Sequence, residues 1–226
     1  MTNQNSLTLI IPAKYESESL PIFLEELKNT DCRILIVLQK DDYKTIKSLE
    51  KFSNIKLLFQ KINGYGAALI EGFNSCETEY CCIINADGSM DPKYLNKMLK
   101  ECYNKDLIFG SRYMQGGGSE DDTIITFVGN KFFTTISNLL YSLDISDILY
   151  TYILGKTKSF RSLNLYYKDF RLCVEIPIKA KKNDMQYTCL PSFERSRIGG
   201  KKKVNVLKDG FLILFAIISF LFKKKK

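Results

Sequence analysis

The stretch from Tyr80 to Leu95, YCCIINADGSMDPKYL, sets hard oxygen donors just behind an apolar run: Asn85 and Asp87 on alternate residues, with Ser89 and Asp91 behind them. Donors of this kind suit Mg2+ or Mn2+ bridging a diphosphate. Asp91 stands directly before Pro92, which is also the pattern of a helix cap. Further on, Arg112 offers the planar donor fork that clamps a phosphate. Lys14-Tyr15-Glu16 and Gln39-Lys40-Asp41 each follow an apolar run as well. Glu120, Asp121 and Asp122 lie in a glycine-rich loop and are candidate bases for a hydroxyl acceptor, or simply solvated loop residues. Histidine is absent, so His-ligated zinc, Ser-His-Asp triads and Cys-His pairs are excluded. Acid–base and metal chemistry must rest mainly on carboxylates.

These residues need elements to position them. Apolar runs at 7–12, 33–38, 55–59, 80–85 and 106–110 read as buried strands. Between them, helices are expected at 19–28, 42–52, behind the glycine turn of GYGAALIEGFNSC, and at 92–103. Continuous apolar strands alternating with helices predict an α/β fold with a mostly parallel sheet covered on both faces. In such a sheet ligands bind beyond the carboxyl ends of the strands, and the polar clusters above all fall there. Beyond residue 110 the pattern loosens. A long helix is expected over 123–142, further strands over 171–180 and 185–190, and a basic loop over 193–203. GYGAALIEG does not meet G-x-G-x-x-G, because Leu69 holds the third position, and no Walker A motif is present.

The net charge of +8 is unevenly placed. Residues 179–208 carry nine Lys/Arg against Asp184 and Glu194, and residues 209–226 carry four Lys against Asp209, so the remaining 178 residues sum to −2. A polyanionic partner or an acidic membrane surface is expected at that end. The apolar run Phe211–Phe222 would span roughly 18 Å as a helix, against roughly 30 Å of hydrocarbon. The expectation is a membrane-associating helix over 209–226 lying in the interface, with packing on the core as the alternative. Residues 1–208 form the main domain. The seven cysteines show no C-x-x-C spacing and read as reduced thiols of a cytoplasmic protein. Residues 1–19 lack the features of a signal peptide.

The order P-A-K-Y-E, G-x-G-x-A, NADGSMDP, GSRY with GG behind it, and a basic R-x-x-G-x-x-K segment resembles the family-2 glycosyltransferases of GT-A fold. Among these it is similar to the dolichyl-phosphate and polyprenyl-phosphate sugar transferases of mannosyl type, over about Leu7 to Lys203. The resemblance implies a UDP- or GDP-sugar donor, inversion, Mg2+ or Mn2+, and a polyprenyl phosphate acceptor or a glycolipid hydroxyl. It places Pro12, Ala13, Glu16, Gln39, Gly64, Gly66, Asn85, Ala86 and Asp87 at the nucleotide sugar. It implies Asn85, Asp87 and Ser89 at the metal, and Asp87, Arg112, Arg197 and Lys203, with Gly200, around the reacting phosphates. A protein held peripherally at the inner face of the membrane follows. So does the absence of a nucleic-acid partner, since the basic residues adjoin an apolar run rather than interleaved aromatics.

The departures are specific. Asn85 stands where the family carries Asp, and Leu38-Gln39-Lys40 where it carries Asp-Asp-Gly. Lys14-Tyr15 replaces a common Tyr-Asn, Lys202 a common Ser, and DILYTYILGK keeps only Asp147 and Gly155 of an Asp-x-Thr-x-Gly pattern. A silent nucleotide-sugar binder is the reading these departures leave beside the enzyme.

Overall fold

The computed structural model describes residues 6–199 and 206–222. Gly200 and Lys203 therefore lie outside the described residues. The chain opens with β1 (Leu7–Pro12), α1 (Ser19–Leu27), β2 (Arg33–Leu38), α2 (Tyr43–Leu49), β3 (Ile55–Phe59), α3 (Tyr65–Ser75) and β4 (Tyr80–Ile83). A 3-10 turn at Pro92–Tyr94 leads into α4 (Leu95–Cys102), then β5 (Leu107–Ser111), β6 (Gly118–Ser119) and α5 (Ile124–Tyr141). After these come β7 (Ile153–Lys156), α6 (Thr157–Ser162), α7 (Leu172–Lys182), β8 (Tyr187–Pro191), β9 (Phe193–Glu194) and α8 (Val206–Ser219).

Seven strands form one sheet in the order β3-β2-β1-β4-β7-β5-β8, and β6 pairs with β9 in a small parallel ribbon. The strand period of two sorts the core onto two faces. Leu9, Ile11, Ile36 and Leu38 pack with Phe23, Leu24 and Met98 on one side, while Ile10, Val37, Ile83 and Phe109 pack with Phe73, Phe160 and Ile176 on the other. β1 through β4 are parallel and joined by helices, which puts all four carboxyl ends on one rim. β7 is antiparallel to both of its neighbours, β4 and β5.

One expectation is corrected. Residues 171–180, read as a strand from their apolar and β-branched run, belong to α7, whose residues Leu172–Ile178 are all buried. A helix buried all round shows no amphipathic period. Asp169 accepts from the Arg171 main chain at its entry, and Lys179, Lys181 and Lys182 sit in its last turn, where the helix dipole favours cations. The short β7 carries no strand signal of its own and went unrecognised. As for 209–226, α8 begins earlier, at Val206, and buries Ile213, Ala216, Ile217 and Phe220 in the core against α5 and α7. Among the described residues no helix is long and apolar enough to cross a membrane. All seven cysteines are unpaired.

Candidate active site

β4 stops at Ile83, although Ile84 N still donates to Ile10 O at 3.1 Å. The chain then turns away from the sheet through Asn85–Met90. Gly88 makes that turn possible with a φ of +74°, a conformation that costs an L side chain energy. One oxygen of Asp87, Oδ1, accepts from Ser89 N at 3.1 Å and Ser89 Oγ at 2.8 Å. Ser89 is buried. Its hydroxyl is thus engaged in aiming the Asp87 carboxylate. Asp91 does what its place before Pro92 suggests: it caps the 3-10 turn by accepting from Lys93 N at 3.0 Å.

The other Asp87 oxygen, Oδ2, faces the Arg197 guanidinium at 3.6 Å, and the same guanidinium binds Asp121 at 2.8 Å. Burial works against the charge on Arg197. Its hydrogen bond to Asp121 and the nearby Asp87 outweigh that, so it titrates above its ordinary range. The segment carrying it is tied down over the Asp87 turn. Arg195 N donates to Ser89 O and Ile198 N to Asp87 O, each at 2.8 Å. Arg195 also grips the Gly88 carbonyl at 2.7 Å and Glu26 at 2.7 Å. Asp87 and Asp121 therefore meet on one guanidinium above the end of β4, with Glu194 of β9 bridged to Met90 beside them.

Arg112 sits at the end of β5, beneath this cluster. Its Nε and Nη2 bind Asp147 at 2.7 and 3.0 Å, and Nη1 binds Glu194 at 3.0 Å. Its guanidinium lies 4.6 Å from the Tyr150 ring centre and 5.2 Å from that of Tyr113. Burial lowers its pKa, but the hydrogen bond and charge of Asp147, with Glu194 behind, raise it further than burial lowers it. Asn130 donates to Asp147 from α5, and Ser119 Oγ donates to Glu194 at 2.6 Å. The arginine expected at a phosphate is thus built into a buried ion-pair network, a geometry that supports the site from below. Asp147 and Glu194, arriving 35 and 82 residues later, are the partners that the sequence reading missed. The only signal was Asp147 in the residual Asp–Gly pattern.

The acidic loop is fastened too. Glu120 accepts from Ser196 N at 2.9 Å, and Asp122 accepts from the Tyr113 hydroxyl at 2.5 Å and from Thr126. On the nucleotide side of the rim, Pro12 ends β1 and Ala13 N donates to Val37 O at 2.9 Å. Glu16, Gln39 and Ala86 are buried. Glu16 accepts from Ser19 Oγ at 2.6 Å, which anchors the start of α1. Asp42 caps α2 and accepts from Tyr15 N at 2.6 Å, holding Tyr15 at a φ of +55°.

Gly64 and Gly66 sit against backbone. A Cβ on Gly64, where φ is +139°, would lie 2.1 Å from Lys168 O, and one on Gly66 2.4 Å from Tyr167 O. Ala67 N already donates to Lys168 O at 3.1 Å. The geometry gives both glycines a packing role under residues 167–169.

The donor set fits a divalent cation of one kind. Among the described residues no three His, Cys, Asp or Glu side chains cluster so as to cage a metal. One Asp87 oxygen without a neutral donor on it, with the half-buried Asn85 amide two residues before, suits an ion that takes most of its ligands from a diphosphate and water.

Comparison with known proteins agrees with this architecture. The family described as Glycosyl transferase family 2 matches residues 8–163. An undecaprenyl-phosphate mannosyltransferase of Micrococcus luteus is 27% identical over 170 residues, covering 69% of this chain and 68% of that protein. Glycosyltransferase AglJ of Haloferax volcanii is 20% identical over 224 residues, covering 96% of this chain and 72% of that one. Among solved structures, glucosyl-3-phosphoglycerate synthase of Mycobacterium tuberculosis with Mn2+, UDP and glucosyl-3-phosphoglycerate superposes with a TM-score of 0.70. It is 10% identical, with 94% of this chain and 78% of that one covered. At that identity the likeness concerns the fold, which is GT-A.

Proposed function

Since the chain belongs to glycosyl transferase family 2 and is a glycosyltransferase of GT-A fold, we propose that it transfers a sugar, with inversion, from a UDP- or GDP-sugar to a polyprenyl phosphate at a membrane surface. The observation that carries this reading is Asp87 at the end of β4, facing Arg197 at 3.6 Å. An acid and a base so disposed suit a cation and a diphosphate respectively, which enter once Arg197 moves off Asp87. Asp87 and Asn85 would hold Mg2+ or Mn2+, which when bound neutralises the charge growing on the leaving diphosphate.

An acceptor phosphate oxygen attacks the anomeric carbon from the face opposite the leaving group. The new C–O bond forms as the bond to the nucleoside diphosphate breaks, and the bonding electrons leave with the diphosphate. Arg197 swings from Asp87 and Asp121 to the diphosphate oxygens, with Lys203 following it in sequence, and stabilises charge where it develops. Pro12, Ala13, Glu16 and Gln39 border the nucleoside. Arg112 acts as a positioning residue by holding Asp147 and Glu194.

A phosphate acceptor is already an anion and needs no base. The engagement of Glu120 with Ser196 and of Asp122 with Tyr113 supports that choice over a hydroxyl acceptor. The undecaprenyl-phosphate relative supports it as well. The test is turnover of UDP- and GDP-sugars with undecaprenyl phosphate in detergent, with and without Mg2+ or Mn2+, for wild type and Asp87→Ala. Metal-dependent lipid-linked sugar that disappears in Asp87→Ala is expected. Transfer to sugar hydroxyls only, or tight donor binding with no product, sinks the proposal.

A further inference from the structure

α5 is built inside out. Its fully buried residues are the polar Asn130, Thr134 and Ser137, which face the Asp147 network and the core, with Phe133, Ile136 and Tyr141 half-buried beside them. Its solvent face carries Ile125, Val128, Phe132 and Leu139, with Thr135 at the fourth of the five places of the same three-and-four spacing. Ile125 is 71% and Leu139 81% exposed. An ordinary surface helix shows the reverse pattern.

α8 runs beside it. Gly210 lies next to the Phe133 ring and Tyr141 donates to Ile217 O, so the two helices climb in the same direction. α8 buries one face and leaves Phe211 and Phe215 in solvent. Of the 21 large apolar side chains exposed among the described residues, 13 lie on α5 and residues 206–222. Single exposed apolar residues are ordinary, but a continuous patch marks an interaction surface.

We propose that the joined outer faces of α5 and α8 dock on an anionic lipid bilayer, with α5 supplying a contact that the C-terminal segment alone does not. Charge selects this occupant over a second copy of the chain. Residues 201–226 hold eight Lys against Asp209, a net +7, and Lys131 is exposed on the flank of the α5 stripe. Two copies meeting on this face would bring like charges together, whereas anionic headgroups neutralise them. The first turn of α5 follows directly on Asp121 and Asp122, which bind Arg197 and Tyr113. Docking on this face therefore sets the site at headgroup depth. The proposal rests on the lipid-acceptor reading for its purpose but is measured without it.

The test is co-sedimentation with phosphatidylglycerol–phosphatidylcholine vesicles against phosphatidylcholine alone. Wild type is compared with an α5 variant (I125S/V128S/F132S/L139S) that leaves α8 intact. Binding to the anionic vesicles is expected to fall about tenfold or more in the variant. Transfer to a short, water-soluble polyprenyl phosphate is expected to persist, which separates loss of docking from failure of the transferase reading. The chain has no Trp, so Ile125→Trp and Leu139→Trp provide single reporters that do not depend on the quadruple variant folding. Their emission is expected to shift blue with anionic vesicles. Unaltered vesicle binding by the α5 variant, no emission shift, or a lipid-free dimer that the variant dissociates would each overturn the proposal.

Discussion

Arg112→Met removes the guanidinium and keeps a side chain of similar reach. It leaves behind Asp147 and Glu194, whose side chains are 0% and 11% exposed. Asp147 keeps the Arg112 main-chain N at 3.1 Å and the Asn130 amide, but loses both charged bonds. Removing one partner of a buried ion pair costs about 3–5 kcal/mol, because the remaining charge is uncompensated. In a chain of this size each kcal/mol shifts Tm by roughly 2–4 °C, so a fall of roughly 6–20 °C is expected. Chemical denaturation gives the free energy and thermal denaturation the Tm. Adding Asp147→Asn to Arg112→Met removes one orphaned charge, and is expected to restore part of the loss, a coupling that a double-mutant cycle reads directly. If Arg112→Met lies within about 1 kcal/mol of wild type, the value typical of an exposed pair, while turnover collapses, the network is not structural. Arg112 would then act on a ligand phosphate.

Gly64→Ala places a Cβ 2.1 Å from Lys168 O at a φ of +139°, and a loss of at least about 2 kcal/mol in denaturant unfolding is expected. Gly129 of α5 has nothing within 4 Å of an added Cβ, so Gly129→Ala is expected to gain about 0.5–1 kcal/mol in the same assay. Arg197→Gln releases Asp87 from its cation. Calorimetry is expected to show tighter Mn2+ binding by the substrate-free variant, while kcat falls by about 10² or more; weaker Mn2+ binding would contradict the competition. Burial pushes Cys32 up to about 11 and Cys102 and Cys173 up to about 12. At pH 8 their thiolate fraction is then on the order of 10⁻³ or less. Iodoacetamide is expected to label these three far more slowly in the native than in the denatured protein, with the rate at Cys32 rising as pH approaches 11, and mass spectrometry of digests reports each site.

The amino-terminal half was legible because its strands are buried on both faces and flanked by turn residues. LTLIIP, RILIVL and YCCIIN carry that signal within six residues each. α7 reads as a strand for the same reason in reverse: LCVEIPI is buried on every side, Glu175 included, and so shows no helical period of its own. Asp87 was legible because its loop is local. The network around Arg112 was not, since Asp147 and Glu194 reach it through β7 and the ribbon. The apolar run of the C-terminal helix suits a membrane surface and a protein core alike. α8 packs one face on the core and exposes the other, which a single stretch of sequence does not separate.

The reversed strand β7 has a consequence for how the molecule is made. β4 and β5 are never hydrogen-bonded to each other; Ile153–Lys156 fills the gap between them. While the ribosome is still delivering residues 107–152, the growing chain holds a finished half-sheet β3-β2-β1-β4 whose last strand has an open edge. An open edge invites pairing with the wrong partner. The closing element comes from far along the chain, so its loop-closure entropy must be met before any contact rewards it. Amide protection at Cys81, opposite Gly155, and at Ile108, opposite Leu154, should therefore appear together and late in pulse-labelled refolding. Protection at Leu9 and Ile34, which adjoin in β1 and β2, should precede both.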